Sequence, residues 1–137
     1  MTEDQKRDNI AAEVARGDGA LKSAELLLGA GQLADAVSRA YYAAYHYARA
    51  LLLTVGEEPR THGGVERLLQ RDFVRTGRLT PEVAATLSRL MTLRQNADYV
   101  VEYVFTVAMA TDQVDTARAF LAAARALLTA EGWLGKP

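Results

Sequence analysis

The chain has 137 residues, half of them hydrophobic and 24% charged, with a formal net charge of −1. That is the balance of one globular domain around one core, not of a disordered chain or a general polyanion binder. It contains no cysteine, which excludes a disulfide framework, a thiolate metal site and a cysteine nucleophile.

Helical periodicity runs through the sequence. A first helix is expected from about Asp4 to Leu28, with Thr2 and Gln5 at capping-box spacing and Ile10, Val14, Leu21, Ala24, Leu27 and Leu28 as its apolar positions. Gly17 and Gly19 interrupt it at about 1 kcal/mol each against alanine, which predicts a kink or fraying there, and Gly29 and Gly31 end it. A second helix, about Leu33 to Thr54, carries Val37, Tyr41, Ala44, Ala48, Leu51 and Val55 at three- and four-residue steps, and Gly56 and Pro59 stop it. Thr61 is placed to cap a short third helix, about His62 to Thr76, with Val65, Leu68, Leu69 and Phe73 inward. Thr80-Pro81-Glu82 is an N-terminal signal for a fourth helix that continues to about Tyr103. Thr111-Asp112 opens a fifth, with Val114, Ala117, Leu121, Ala124 and Leu128 on one face and Gly132 as terminator. The remaining tail, Trp133 to Pro137, has Trp133 as a candidate anchor.

No strand pattern, hairpin signal or internal repeat competes. The expected fold is therefore all-α: an antiparallel up-and-down bundle of four main helices plus a short one, a single domain over residues 1–137 with its core at about 4–128. The apolar stretch 37–55 is interrupted by Ser38, Arg39, His46 and Arg49, and Met1 to Gly17 is rich in charge. Neither a membrane span nor a secretory leader is expected, and a cytoplasmic location is the default.

Charge is unevenly distributed. From Arg60 to Arg94 there are seven arginines against Glu66, Asp72 and Glu82; from Gln95 onward the sign reverses. Arg67, Arg71 and Arg75 share one helical face at four-residue spacing, either a solvated surface or a stripe that tracks a phosphate backbone. On the fourth helix the inward positions Val83, Leu87, Leu90 and Met91 are followed by Arg94, then Ala97 and Val101. An arginine on a buried line needs a partner. Asp98, four residues on, offers a helical ion pair; the alternative is a guanidinium held in a groove or subunit interface to grip phosphate. Tyr41, Tyr42, Tyr45 and His46 read either as core aromatics with hydroxyls at its edge or as a base-stacking platform. His62, beside Thr61, is a loop histidine or a phosphate contact. Gly63-Gly64 either admits an anion at exposed amides or lets two helices approach closely. Without a Glu-x-x-His pair, a Gly-rich phosphate loop or His-Glu-x-x-His, neither a metal site nor a cofactor is expected.

The segments 38–52 (Ser-Arg-Ala-Tyr-Tyr-Ala-Ala-Tyr-His-Tyr-Ala-Arg-Ala-Leu-Leu), 61–65 (Thr-His-Gly-Gly-Val) and 93–99 (Leu-Arg-Gln-Asn-Ala-Asp-Tyr) together resemble the HEPN domain family, most closely its small free-standing prokaryotic branch. The likeness covers about Asp4 to Leu128. It implies an up-and-down helical bundle that dimerises. It also implies kinship with metal-independent endoribonucleases, often toxins paired with a small nucleotidyltransferase antitoxin. The family active site is an arginine followed after four to six residues by a histidine, assembled from two subunits. Arg94 matches that arginine and Gln95 the polar residue that often follows it, but Tyr99 stands where the histidine is expected. Histidine's unperturbed pKa is ~6.5 and tyrosine's ~10, so a tyrosine is a poor substitute for a base at neutral pH. His46 and His62 are the replacements the fold would have to supply. The resemblance thus implies a homodimer, with a nucleotidyltransferase partner, that binds nucleotide or RNA phosphate. Arg94 is its phosphate contact and candidate catalytic group, Asp98 orients it and Tyr99 lines the same groove, while His62, Arg67, Arg71 and Arg75 remain further candidate phosphate contacts from their own positions. The rivals are an active ribonuclease and a purely structural interaction domain.

Overall fold

The computed structural model describes residues 1–135 and contains five α-helices and no strand among them. The helices are α1 (Glu3–Gly29), α2 (Leu33–Leu53), α3 (His62–Leu69), α4 (Pro81–Tyr99) and α5 (Val107–Ala130). The last two residues of the expected tail lie outside the described residues. Before them, Trp133 packs against the core, with the Arg7 guanidinium 5.1 Å and the Lys6 ammonium 5.6 Å from its ring.

α2 is the centre of the bundle, packed against α1, α3, α4 and α5. Its Ala36, Val37, Ala40, Ala43, Ala44, Tyr47, Ala48, Ala50, Leu51 and Leu52 are wholly buried. So many alanines keep the helix thin, which is what allows several neighbours to reach it. Connection length and side-chain pairings give the directions. Only residues 30–32 separate α1 from α2, and the two pack against each other along their length, so they run antiparallel. Asp98 meets Ser38 while Arg94 meets Tyr42, so α2 and α4 do too. Asp18 with Arg125 and Glu25 with Arg118 set α5 antiparallel to α1. The four long helices therefore alternate in direction, with α3 as the short link, an up-and-down bundle as the helix lengths and connections predict.

Four local expectations are corrected. The first helix does not kink at its glycines but runs unbroken from Glu3, with both bonds of the Thr2–Gln5 capping box made. Gly17 is there for contact: a Cβ on it would stand 2.5 Å from Tyr47 Cδ1 and 3.0 Å from the Ala43 carbonyl oxygen. The third helix is regular only to Leu69; a π-helical turn, Gln70–Val74, follows, closed by Arg75 N–H donating to the Gln70 carbonyl at 3.0 Å. This i→i+5 turn keeps Phe73 buried but widens the helical register. The fourth helix ends at Tyr99, not Tyr103, so Val101 is wholly exposed and not part of the inward line. The fifth begins correspondingly earlier, at Val107: the Thr106 hydroxyl accepts from Met109 N–H at 3.1 Å and caps it ahead of Thr111-Asp112.

Candidate functional site

The end of α4 lays Arg94 against the first half of α2. Arg94 follows Leu87 and Leu90 on the inward face, and helical phase carries it into the bundle, where the residue is only 6% exposed. One Nη2 donates to the Tyr42 hydroxyl at 2.8 Å. Asp98 Oδ2 stands 3.3 Å from Arg94 Nε, within ion-pair range. Yet the Nε–H does not point at it, and that donor has no hydrogen-bond partner among the described residues. Ser38 donates to the same Asp98 oxygen at 3.4 Å. The guanidinium carbon lies 5.5 Å from the Tyr41 ring, 5.3 Å from Tyr42 and 5.6 Å from Tyr99, the geometry of cation–π contact. Burial weakens the charged form, but the Tyr42 bond and the electrostatics of Tyr42, Asp98 and Tyr99 outweigh it and raise the pKa further. Arg94 is thus a permanent cation, nearly dehydrated, with a donor to spare.

Tyr41 links this cation to His62. Its hydroxyl is 2.5 Å from His62 Nδ1, while its ring lies beside Arg94. Burial and the neighbouring Tyr45 push the Tyr41 hydroxyl above its ordinary value, although Arg94 partly opposes this. Burial and the Arg94 charge hold His62 below the usual imidazole value. Near neutral pH both groups are therefore uncharged and share one hydrogen bond, whose direction is set by the His62 tautomer. With Tyr41 donating to Nδ1, His62 presents a donor at Nε2; with Nδ1–H donating to Tyr41, it presents a base there. Tyr45 packs its ring 4.8 Å from the imidazole.

Of the residues singled out by sequence, Arg94, Asp98 and Tyr99 converge, and His62 joins them through Tyr41. The other histidine does not: His46 is bonded to Glu13 at 2.8 Å on the α1 side. Arg67 and Arg75 are exposed. Arg71 is taken up by Glu57 and Asp72, each at 2.8 Å, and Arg75 stands at the end of the π turn, beyond the regular helix. Tyr42, Ser38 and Tyr41 are the site residues that sequence reasoning did not assign; their pairing with Arg94 and Asp98 spans 52 and 60 positions and left no local signal. Arg39 also belongs here, its guanidinium 4.9 Å from the Tyr42 ring. Tyr99 is 71% exposed and lies over Arg94 from the solvent side, beside an apolar exposed run of Val100, Val101, Val104 and Val107. An open hollow of about 460 Å³ on α5, lined by Ala122, Arg125, Ala126, Thr129, Ala130 and Gly135, includes none of these residues. It is an apolar surface groove and holds no comparable chemistry. Among the described residues no three His, Asp or Glu gather as a metal site.

Between α2 and α4 the bundle thus encloses a buried arginine with an Nε unpartnered among the described residues, ringed by three tyrosines. The HEPN domain model matches residues 13–129, and the chain belongs to that family. It is 34% identical over 108 residues to a UPF0332 protein of Thermotoga maritima, covering 79% of this chain and 82% of that one. It is 34% identical over 96 residues to a Methanocaldococcus jannaschii protein named "Putative toxin MJ0605", covering 70% and 72%. A shorter stretch of 57 residues is 53% identical to the UPF0332 protein PH1297 of Pyrococcus horikoshii, where it spans 42% of this chain and 40% of the relative. No described helix is long and apolar enough to cross a membrane.

Proposed function

We propose that this HEPN-family chain binds the phosphate of RNA or a nucleotide at Arg94, in a groove completed by a second copy of the chain. In this reading it is the cytoplasmic partner of a nucleotidyltransferase in a toxin–antitoxin-like pair. The observation that carries the reading is the state of Arg94: a dehydrated cation with one hydrogen bond made and Nε unsatisfied. A phosphate oxygen is the ligand that satisfies a guanidinium bidentately. Asp98, anchored by Ser38, orients the guanidinium. Tyr99 covers it and has to swing aside or accept the ligand at its edge. Its exposed neighbours Val100, Val101 and Val104 supply an apolar rim of the kind a second subunit covers. Arg39, Arg67 and Arg75 add exposed positive charge on the adjoining helices. The name of the Methanocaldococcus jannaschii relative, "Putative toxin MJ0605", supports the pairing with an antitoxin.

The test is retention of labelled RNA and of ATP by purified protein, with and without Arg94→Ala. Binding that declines with salt and with the substitution upholds the reading; retention indifferent to Arg94 overturns it. A monomer at micromolar concentration removes the shared groove. A ribonuclease reading has one observation in its favour, the approach of His62 to Arg94 through Tyr41. Its signature is Arg94- and His62-dependent cleavage of long RNA in the presence of a chelator. The Tyr41–His62 bond occupies Nδ1, which leaves Nε2 as the ring nitrogen open to a substrate.

A further inference from the structure

One buried carboxylate has no part in the site just described. Glu13 projects from α1 into the bundle and is 7% exposed. Burial favours its neutral form, but the hydrogen bond from His46 and the charges of Arg49, His46 and Arg16 prevail and hold it below the usual carboxylate range. Its Oε2 takes the His46 bond at 2.8 Å, and its Oε1 faces Arg49 Nε at 3.4 Å and Arg16 at 3.7 Å. Enclosing a charge this completely is costly unless every partner is used. The core of an α1–α2 pair could be closed with an apolar residue at less risk.

What the cluster does lies one step further out. Arg49 spends its other arm on the chain that leads into α3: Nη1 donates to the Pro59 carbonyl at 3.1 Å. Its guanidinium also lies 5.9 Å from the Tyr45 ring. Pro59 in turn presses on the first turn of α3. A Cβ on Gly64 would meet Pro59 Cβ at 3.2 Å and Thr61 Oγ1 at 2.9 Å, so glycine is required for the chain to close this tightly. Thr61 caps that same turn by accepting from Gly64 N–H at 2.9 Å. His62 is its first residue, held between Tyr41 and Tyr45.

We infer that Glu13 and Arg49 are positioning residues for His62. Glu13 fixes the Arg49 guanidinium, Arg49 fixes the Pro59 carbonyl and the Tyr45 ring, and these two set the imidazole at hydrogen-bonding distance from Tyr41 and beside Arg94. The importance of that placement rests on the reading of Arg94 and His62 as one phosphate site; the placement itself does not. The arrangement explains why α1, which contributes no atom to the site, carries a buried charge facing α2.

The experiment is heteronuclear NMR of the His62 ring in the free protein, read as tautomer and titration midpoint. It compares wild type, Glu13→Gln, Arg49→Lys, Arg49→Ala and Leu128→Ala, a core truncation on α5 remote from the chain. In wild type the ring is expected to hold a single tautomer, the one selected by the Tyr41 bond. Glu13→Gln and Arg49→Ala are expected to lose that preference and to move the midpoint up toward the ordinary ~6.5, with Arg49→Lys between them and wild type. Leu128→Ala is expected to lower the melting temperature and leave His62 unchanged. The inference is overturned if the ring is unaltered in the Glu13 and Arg49 variants, or if Leu128→Ala disturbs it as much as they do. Should Glu13→Gln not fold, the two Arg49 variants decide. RNA retention measured on the same samples judges the phosphate reading separately: no retention by wild type sinks that reading and leaves the ring measurement to stand or fall alone.

Discussion

Two clusters of arginine, tyrosine and aspartate sit on α2, and they are built to opposite ends. Around Tyr47 the ring is closed: Arg125 donates to both the Tyr47 hydroxyl and Asp18 at 2.8 Å, and Tyr47 donates to Asp18 at 2.6 Å. Its arginine is about half exposed, so water completes what the protein leaves. Around Tyr42 the ring is open. Arg94 reaches the tyrosine, misses its aspartate with the Nε–H, and is shut away from water. The same three residue types tie helices together in one place and hold a cation in waiting in the other. The distinguishing quantity is an unsatisfied buried donor, which native structures seldom leave without cause.

The sharpest way to break the comparison is to remove each arginine in turn. A charge-assisted hydrogen bond contributes about 1.5–3 kcal/mol, so Arg94→Ala is expected to weaken RNA or nucleotide retention roughly 10- to 150-fold. Arg125→Ala is expected to leave it unchanged. Filter binding at fixed salt reads both; equal losses would make the open ring no more functional than the closed one. Comparable in size is Gly17→Ala. The added methyl would overlap Tyr47 and the Ala43 carbonyl, backbone that cannot step aside, and overpacking of this sort costs about 1–3 kcal/mol. A melting temperature lower by several degrees, with RNA retention kept, is the expected result. An unchanged melting temperature would mean that the closed ring's geometry is not held by the α1–α2 approach.

Removing the hydroxyls sharpens the contrast. Tyr42→Phe strips Arg94 of its one hydrogen bond while leaving it dehydrated, a loss of about 1–3 kcal/mol. Tyr47→Phe leaves Arg125 and Asp18 bonded to each other and to water, a loss of about 0.5–1.5 kcal/mol. Urea denaturation midpoints rank them; Tyr47→Phe proving the worse would reverse the assignment of which ring is strained.

Much of this was legible in the sequence, and the part that was not has a physical cause. The α2 stripe, the Thr2, Thr61 and Thr80 caps and the inward phase of Arg94 all follow from spacing within a few residues, where helical geometry alone decides. Boundaries went astray where local signals conflict. The β-branched run Val100, Val101 and Val104 weakens the end of α4 without marking it, and Thr106 caps α5 with no acidic residue behind it to announce the turn. The four-residue spacing of Arg67, Arg71 and Arg75 presumed an α-helix that becomes a π turn at Gln70. Tyr42, Ser38 and Glu13 could not be assigned because their roles depend on which helix faces which. Tyr42 and His46 do share a face of α2 by spacing, yet one meets Arg94 and the other Glu13, since α4 and α1 divide that face between them.

The smallest expected effect is on pH dependence, and it separates the two acid-sensitive clusters. Because burial and Arg94 hold His62 below its ordinary value, the unfolded chain takes up a proton that the folded one refuses. Its stabilisation is therefore complete above about pH 6.5 and declines as pH falls through that unfolded value toward the folded one. Glu13 is depressed for the opposite reason, its charge being favoured in the fold, so its contribution persists to lower pH and is lost only as pH falls through its folded value. Stability should thus fall in two stages on acidification, and His62→Gln should abolish the upper stage alone. Denaturant midpoints from pH 7.5 down to about pH 3 check this, since the Glu13 stage lies below the ordinary carboxylate value. Parallel curves for wild type and His62→Gln would mean that the imidazole is as free to protonate in the fold as out of it, and hence that neither burial nor the Arg94 charge acts on it.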